Sequence, residues 1–324
     1  MDRRKFIVAA VAISVPRAAV TQQAGKTYRI GYLAAGARSI DGAPPASLRQ
    51  ALQELGYSEG KNVIYAGRWA EARREELPAL AAELVGLKVD LIITFGSPAA
   101  AAAKEASSTI PIVMALSGDP EGVGLVASLA RPGGNVTGVT DNATALSAKR
   151  LELLKEAVPT ASRIAVLWNA KDQAMTLRYR EIDRAARVLG VSVQPLGVRE
   201  PDDFDHAFAA MDRERPDALF MVTDSLTNLN RKRVLDFAEI RHIPAMYEYA
   251  PLVRDGGLIS YGPSFDDMFR RAAVYVDKVL KGAKPSELPA EEPTIYHLVI
   301  NSRTAKKLGF NIPQSLLLRA ELVQ

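Results

Sequence analysis

Polar residues that follow short apolar runs are the strongest chemical signal in this chain of 324 residues. The apolar runs predict parallel strands, and open α/β sheets bind ligands at the carboxyl ends of their strands. These residues are therefore candidates for a binding site: Gly36, Ser97, Asp119, Asn169, Asp224, Tyr247 and Glu248. Each has a plainer alternative, because polar residues at strand ends often serve only as turns or helix caps.

Three of the candidates have chemistry that would suit an amino acid. Ser97 begins an alanine-rich helix, with Pro98 in its first turn, whose free N–H groups could receive a carboxylate. Asp224 could pair with an ammonium group, and Tyr247 offers an aromatic face for stacking. The sequence therefore predicts a ligand lying between Ser97 on one side and Asn169, Asp224 and Tyr247 on the other.

The patterns of catalysis and of cofactor binding are missing from the sequence. There is no cysteine, which removes thiolate metal ligands, disulfides and cysteine nucleophiles together. Gly31 and Gly36 have the spacing of a phosphate-binding loop, but Ala37-Arg38 stands where that loop has Lys-Ser/Thr. The three histidines, His206, His242 and His297, are scattered without the spacing of metal ligands. We therefore expect no enzymatic activity, no metal and no cofactor.

A repeat in the sequence indicates how the elements that carry these residues are arranged. Arg29–Leu33 is similar to Arg163–Leu167, 134 positions later, and Ile110–Ile112 is similar to Ile243–Ala245, 133 positions later. Each half alternates apolar runs with helical stretches, which predicts β-α-β-α units around a parallel sheet. The fold class is therefore α/β, with two similar Rossmann-like lobes and a ligand cleft between them.

The boundaries of the two lobes follow from the same pattern. We assign residues 27–140 plus about 264–285 to lobe 1, and residues 141–263 plus about 293–324 to lobe 2. The amphipathic stretch 265–280 is expected to cross back to lobe 1. Residues 228–241 are predicted to form a single helix, and a last turn of helix is expected to end the chain.

The charge balance argues against a nucleic-acid partner. The formal net charge is +4, from 41 basic and 37 acidic residues. Four of the basic residues and one acidic residue lie in residues 1–20, which leaves 37 basic against 36 acidic residues in the rest of the chain. The main part of the chain thus has no basic excess. The sequence has no apolar run of the roughly 20 residues that a transmembrane helix needs.

Residues 1–24 have the features of an export signal. A basic segment, Arg3-Arg4-Lys5, precedes a short apolar run over residues 6–15, and small residues near 18–20 or 24–25 offer cleavage sites. The segment also resembles a twin-arginine signal, the alternative being an ordinary signal with two neighbouring arginines. Because no cysteine is available for a lipid anchor, we expect a free periplasmic protein.

Several longer segments of the chain resemble a known family. They lie at residues 77–84, 110–113, 118–135, 149–156, 256–262 and 298–301. They are similar to the periplasmic substrate-binding proteins of ABC transporters, in the tryptophan/tyrosine-type branch, which adopt the type I periplasmic binding protein architecture. The resemblance spans residues 28–313. It implies a two-lobed protein without catalysis that delivers a small-molecule ligand to an ABC permease with its cytoplasmic ATPase, and we expect a monomer.

Two questions stay open at this stage. A periplasmic ligand sensor that acts on a signalling partner could use the same two-lobed fold, although the export signal favours transport. The segment Tyr247-Glu248-Tyr249 departs from the family, where a basic or small residue is expected near position 248. This departure leaves the charge of the ligand undetermined.

Overall fold

The first lobe is built on a five-stranded parallel sheet with the strand order β2-β1-β3-β4-β5. A computed structural model describes residues 26–39 and 41–324, and the predicted export signal lies outside the described residues. The strands are β1 (Tyr28–Ala34), β2 (Val63–Trp69), β3 (Leu91–Phe95), β4 (Ile112–Leu116) and β5 (Val136–Gly138). Three helices connect them, α1 (Ala46–Glu54), α2 (Leu77–Gly86) and α3 (Ser97–Ala106).

The second lobe contains a seven-stranded sheet with the order β12-β11-β10-β9-β8-β6-β7. Its strands are β6 (Arg163–Asn169), β7 (Ser192–Val198), β8 (Ala218–Met221), β9 (Ala245–Tyr247), β10 (Ile259–Gly262), β11 (His297–Asn301) and β12 (Glu321–Val323). The remaining helices are α4 (Ala143–Ala157), α5 (Gln173–Val188), α6 (Asp203–Arg213), α7 (Ser225–Leu229), α8 (Arg231–Ile240), α9 (Ala250–Arg254), α10 (Phe265–Leu280), α11 (Ser302–Lys307) and α12 (Gln314–Leu317). The predicted α/β architecture with two similar lobes is confirmed.

The sequence repeat corresponds to equivalent strands of the two sheets. The two copies of the Arg-Ile motif form β1 and β6, and the two Ile-Pro motifs lead into β4 and β9. α1 and α5 end at equivalent positions, before Gly56 and Gly190, whose φ angles of 93° and 65° favour glycine. Apolar side chains cover both faces of each sheet, as expected for parallel strands with helices on either side.

Helix α10 returns the chain to the first lobe. It packs against α1 and β4, and Phe269, Ala272 and Val276 lie in the same apolar cluster as Ile30 of β1. The chain crosses between the lobes at residues 139–141 and again at residues 262–264. A further segment runs beside the first crossing, where the N–H of Thr140 donates to the carbonyl of Glu291 at 2.9 Å.

Three details differ from the sequence-based expectation. The predicted helix over residues 228–241 is divided into α7 and α8 at Asn230, because Asp224 caps a separate short helix that begins at Ser225. Strand β11 pairs antiparallel with β10, whereas the other paired strands of this sheet are parallel. After two short helices the chain ends in the edge strand β12, not in a helical turn, and its three residues are too few to show a period.

Candidate ligand-binding site

A cavity of about 340 Å³ lies between the two lobes at the carboxyl ends of their strands. This volume is within the range of roughly 300–1,000 Å³ that is usual for small-molecule pockets. The first-lobe wall consists of residues at or after the ends of β1, β2, β3 and β4, together with the start of α10. The second-lobe wall consists of residues that follow β6, β8 and β9 and the start of α5.

The structure brings together four of the seven predicted residues around this cavity. Gly36 and Ser97 line it from the first lobe, and Asn169 and Asp224 line it from the second. Ser97 is buried, and its Oγ accepts from the N–H of Gly118 and lies 3.0 Å from the carbonyl of the same residue. This hydroxyl is engaged by the neighbouring loop. A ligand near Ser97 would therefore contact the uncapped N-terminus of α3 and not the Ser97 side chain.

Asp224 has a carboxylate without a cationic partner in the described part of the chain. Its Oδ2 accepts from Nδ2 of Asn169 at 2.6 Å, and its Oδ1 accepts from the N–H of Thr227 at 2.9 Å. Burial, aided by the charge of Asp172, raises the pKa of Asp224 by more than the hydrogen bonds from Thr227 and Asn169 lower it. No ion pair of Asp224 is formed among the described residues. The site therefore holds a desolvated acid that a ligand cation would stabilise in its charged form.

The other three predicted residues lie away from the cavity lining. The ring of Tyr247 is buried in the apolar cluster of the second lobe, because it belongs to β9 and packs beside Gly257. Asp119 uses its carboxylate to accept from the N–H of Gly122 and lines a separate surface cavity. Glu248 is fully buried between two arginines. Position at the end of a strand did not determine which way these side chains point.

Glu248 belongs to a buried charged network at the cavity wall, which Asp141, Arg178 and Tyr249 line. Its Oε1 pairs with Arg150 at 2.9 Å and its Oε2 pairs with Arg178 at 2.7 Å. Arg178 also pairs with Asp141 at 2.8 Å, and the hydroxyl of Tyr249 donates to the same carboxylate. Burial would raise the pKa of Asp141, but Arg178 and Tyr249 outweigh it and hold that pKa below its usual value.

This network, formed by Asp141, Arg150, Arg178, Glu248 and Tyr249, connects the crossings to the cavity. Asp141 lies at the first crossing, and Nε of Arg150 donates to the carbonyl of Tyr261 just before the second. Glu248 also accepts from the N–H of Thr223, which fixes the chain immediately before Asp224. Neither Arg150 nor Arg178 was among the predicted site residues, since each is a single arginine within a long helix.

Aromatic side chains form much of the first-lobe wall. Phe95 at the end of β3 lies 5.9 Å from Phe265 and 5.7 Å from Phe269, measured between ring centroids. Trp69 at the end of β2 lies 5.9 Å from Tyr32. The sequence analysis did not predict this wall, because it considered only polar residues at the carboxyl ends of strands. Trp69 and Phe95 also end their strands, so the same positional rule applied to aromatic residues would have selected them. The two phenylalanines of α10 required the tertiary structure.

Contacts across the cavity show that the lobes are closed on each other. Arg74 of the first lobe donates to the carbonyl of Lys171 at 3.0 Å and lies 3.5 Å from the carboxylate of Asp172 in the second lobe. The ring of Tyr249 lies 4.6 Å from Phe265 at the start of α10. Arg74, Asp172, Tyr249 and Phe265 also line the cavity, so the two lobes touch at its wall.

The described residues, 26–39 and 41–324, contain neither a metal-binding group of side chains nor a helix that could span a membrane. In this part of the chain, no group of histidine and carboxylate side chains is arranged to hold a metal ion. None of the helices described there is long and apolar enough to cross a membrane.

Two α/β lobes that close around one cavity define a small-ligand-binding protein with the type I periplasmic binding protein fold. The family model of the ABC transporter substrate binding proteins matches residues 44–324, and the chain belongs to this family. It is 28% identical to a tyrosine-binding protein of Clostridioides difficile (strain R20291), over 83% of this chain and 77% of the relative.

Two solved structures are also similar over most of the chain. One is an ABC domain from Streptococcus pneumonia in complex with L-Trp, with a TM-score of 0.85, 26% identity, and coverage of 92% of this chain and 100% of that one. The other is a conserved domain protein from Vibrio cholerae O1 biovar eltor, with a TM-score of 0.86, 27% identity and the same coverage. These similarities agree with the family to which the sequence was assigned.

Proposed function

We propose that this protein is the periplasmic component of an ABC importer that captures an aromatic amino acid or a closely related small molecule. The observation that carries the proposal is the pairing of an aromatic wall with Asp224, a partly buried carboxylate without a cationic partner among the described residues. An aromatic ring would bury apolar surface against the wall, and an ammonium group would supply the missing charge. The tyrosine-binding and L-Trp-bound relatives support this ligand class.

The two lobes would hold opposite ends of such a ligand. The ligand's carboxylate would lie at the N-terminus of α3, where the N–H groups of the first turn have no side-chain cap. Its ammonium group would lie beside Asp224 and Asn169 on the second lobe. The ring would lie against Trp69 and Phe95. Because the groups that bind the two ends belong to different lobes, capture would favour the closed arrangement.

A melting-temperature screen of the purified mature protein tests the ligand class. L-tyrosine and L-tryptophan are expected to raise the melting temperature, because a ligand at about 100 times its dissociation constant stabilises the folded state by about 2.7 kcal/mol. L-glutamate has a second carboxylate and no ring, and it serves as the control. A shift with L-glutamate but with neither aromatic amino acid would contradict the proposed ligand class.

The predicted export signal is tested by determining the N-terminus of the mature protein from cells. The mature protein is expected to begin between Val20 and Lys26, because the apolar run over residues 6–15 has the length of the hydrophobic region of a signal peptide. N-terminal sequencing of periplasmic material checks this expectation. Protein that retains Met1 would contradict it, and export that survives the joint change of Arg3→Lys and Arg4→Lys would exclude the twin-arginine route.

A further inference from the structure

Gly118 of the first lobe lies directly against Arg178 of the second. Gly118 follows β4, and Arg178 lies within α5. A Cβ atom built on Gly118 would be 2.3 Å from Nη2 of Arg178 and 3.2 Å from its Cζ. The first distance is far below van der Waals contact, so the closed arrangement has no room for any side chain at position 118.

The end of an arginine side chain can normally move aside, but this one is held from two directions. Its Nη2 pairs with Asp141 at 2.8 Å and its Nη1 pairs with Glu248 at 2.7 Å. Arg178 is 1% exposed, and a displaced guanidinium would leave Asp141 without its ion pair and Glu248 with Arg150 alone. The second-lobe side of the contact is therefore fixed.

The first-lobe side of the contact is fixed as well. Oγ of Ser97 accepts from the N–H of Gly118 at 3.0 Å and is 3.0 Å from its carbonyl oxygen. Ser97 is itself buried and begins α3, so the loop cannot shift without disturbing the helix that lines the cavity. Gly118 is not one of the glycines with positive φ, so alanine would meet no backbone strain there.

We propose that the contact between Gly118 and Arg178 limits how far the two lobes can close. Glycine at position 118 permits full closure because it has no side chain. When the lobes separate, Gly118 moves away from α5 and a methyl group meets nothing from the second lobe. The change Gly118→Ala would therefore hold the protein open without unfolding it. The inference rests on the proposed function only in that closure accompanies ligand capture.

Closure can be measured without a ligand, because the chain contains no cysteine of its own. A Cβ atom on Gly36 of the first lobe would be 3.7 Å from Oγ of Ser225 in the second lobe. The paired changes Gly36→Cys and Ser225→Cys therefore place two sulfur atoms within bonding reach only when the lobes are closed. The rate of disulfide formation under a fixed oxidant then reports the closed population.

Adding Gly118→Ala to this cysteine pair is expected to slow disulfide formation by at least about tenfold, because overpacking a fixed contact disfavours the state that contains it. Gly86→Ala is the matched control, since a Cβ at Gly86 would meet nothing within 4 Å. That variant is expected to cross-link at the rate of the parent pair. Both variants should keep the melting temperature of the parent when reduced.

Three results would overturn the proposal. The first is equal cross-linking rates for the Gly118→Ala variant and the parent pair. The second is a parent pair that never cross-links, because the closed arrangement would then not be reached. The third is loss of folding in the Gly118→Ala variant, because the contact would then exist in every folded arrangement. If the cysteine pair cross-links as expected but the protein without these changes binds neither L-tyrosine nor L-tryptophan, the proposed ligand is contradicted and this inference still stands.

Discussion

The change Asp224→Asn is expected to weaken binding of L-tyrosine or L-tryptophan by about ten- to a hundredfold, because a hydrogen bond to a charged group contributes roughly 1.5–3 kcal/mol. Asparagine is nearly the same size as aspartate and can still cap α7 through the N–H of Thr227. The melting temperature of the empty protein should therefore change little, apart from the altered hydrogen bond with Asn169. Calorimetric titration measures the affinity.

The control for this prediction is Asp236→Asn on α8, whose carboxylate is about half exposed and pairs with Lys232 on the surface. This variant should bind with the affinity of the parent. Equal affinities for the Asp224→Asn variant and the parent would remove Asp224 from the site.

The same residue predicts how binding depends on pH. Burial raises the pKa of Asp224 in the empty cavity, whereas a bound ammonium group would favour the ionised form. Affinity should therefore fall as the pH drops through the raised pKa, at a pH where an ordinary aspartate stays ionised. The Asp224→Asn variant should lack this fall, and a parent whose affinity rises on acidification would contradict the assignment.

The second large effect is expected in stability. The change Arg178→Ala should lower the free energy of unfolding by about 3–5 kcal/mol, because it leaves a buried ion-pair network without one of its cations. Asp141 would lose its only ion pair among the described residues, while Glu248 would keep Arg150. Urea unfolding followed by circular dichroism measures this loss.

Arg184 provides a matched control on the same helix. It pairs with Glu181 three residues earlier, but its side chain is 71% exposed. The change Arg184→Ala should leave the free energy of unfolding nearly unchanged, since an exposed pair is screened by solvent. Similar decreases in the free energy of unfolding for the two variants would mean that burial does not make the ion pairs of Arg178 more stabilising than that of Arg184.

The sheets could be predicted from the sequence because their signal is local. Apolar runs such as Leu91–Phe95 and Ala218–Met221 read as buried strands on their own, and the repeat related the strands of one lobe to those of the other. The edge strand β12 and the break between α7 and α8 carried no such local signal. They depend on a neighbouring strand and on the cap that Asp224 provides.

The sequence by itself determined the two-lobed α/β architecture, the family, and the edge of each sheet where a ligand would lie. It placed Gly36, Ser97, Asn169 and Asp224 at that edge, because parallel strands present their carboxyl ends together. Only the tertiary structure decided which side chains face the cavity. Glu248 turns inward to two arginines contributed by α4 and α5, and α10 brings Phe265 into the wall from a distant part of the chain. The positions of the strands along the chain follow from short-range periodicity, whereas burial and charge pairing depend on residues far apart in sequence, and this is why the site needed the structure.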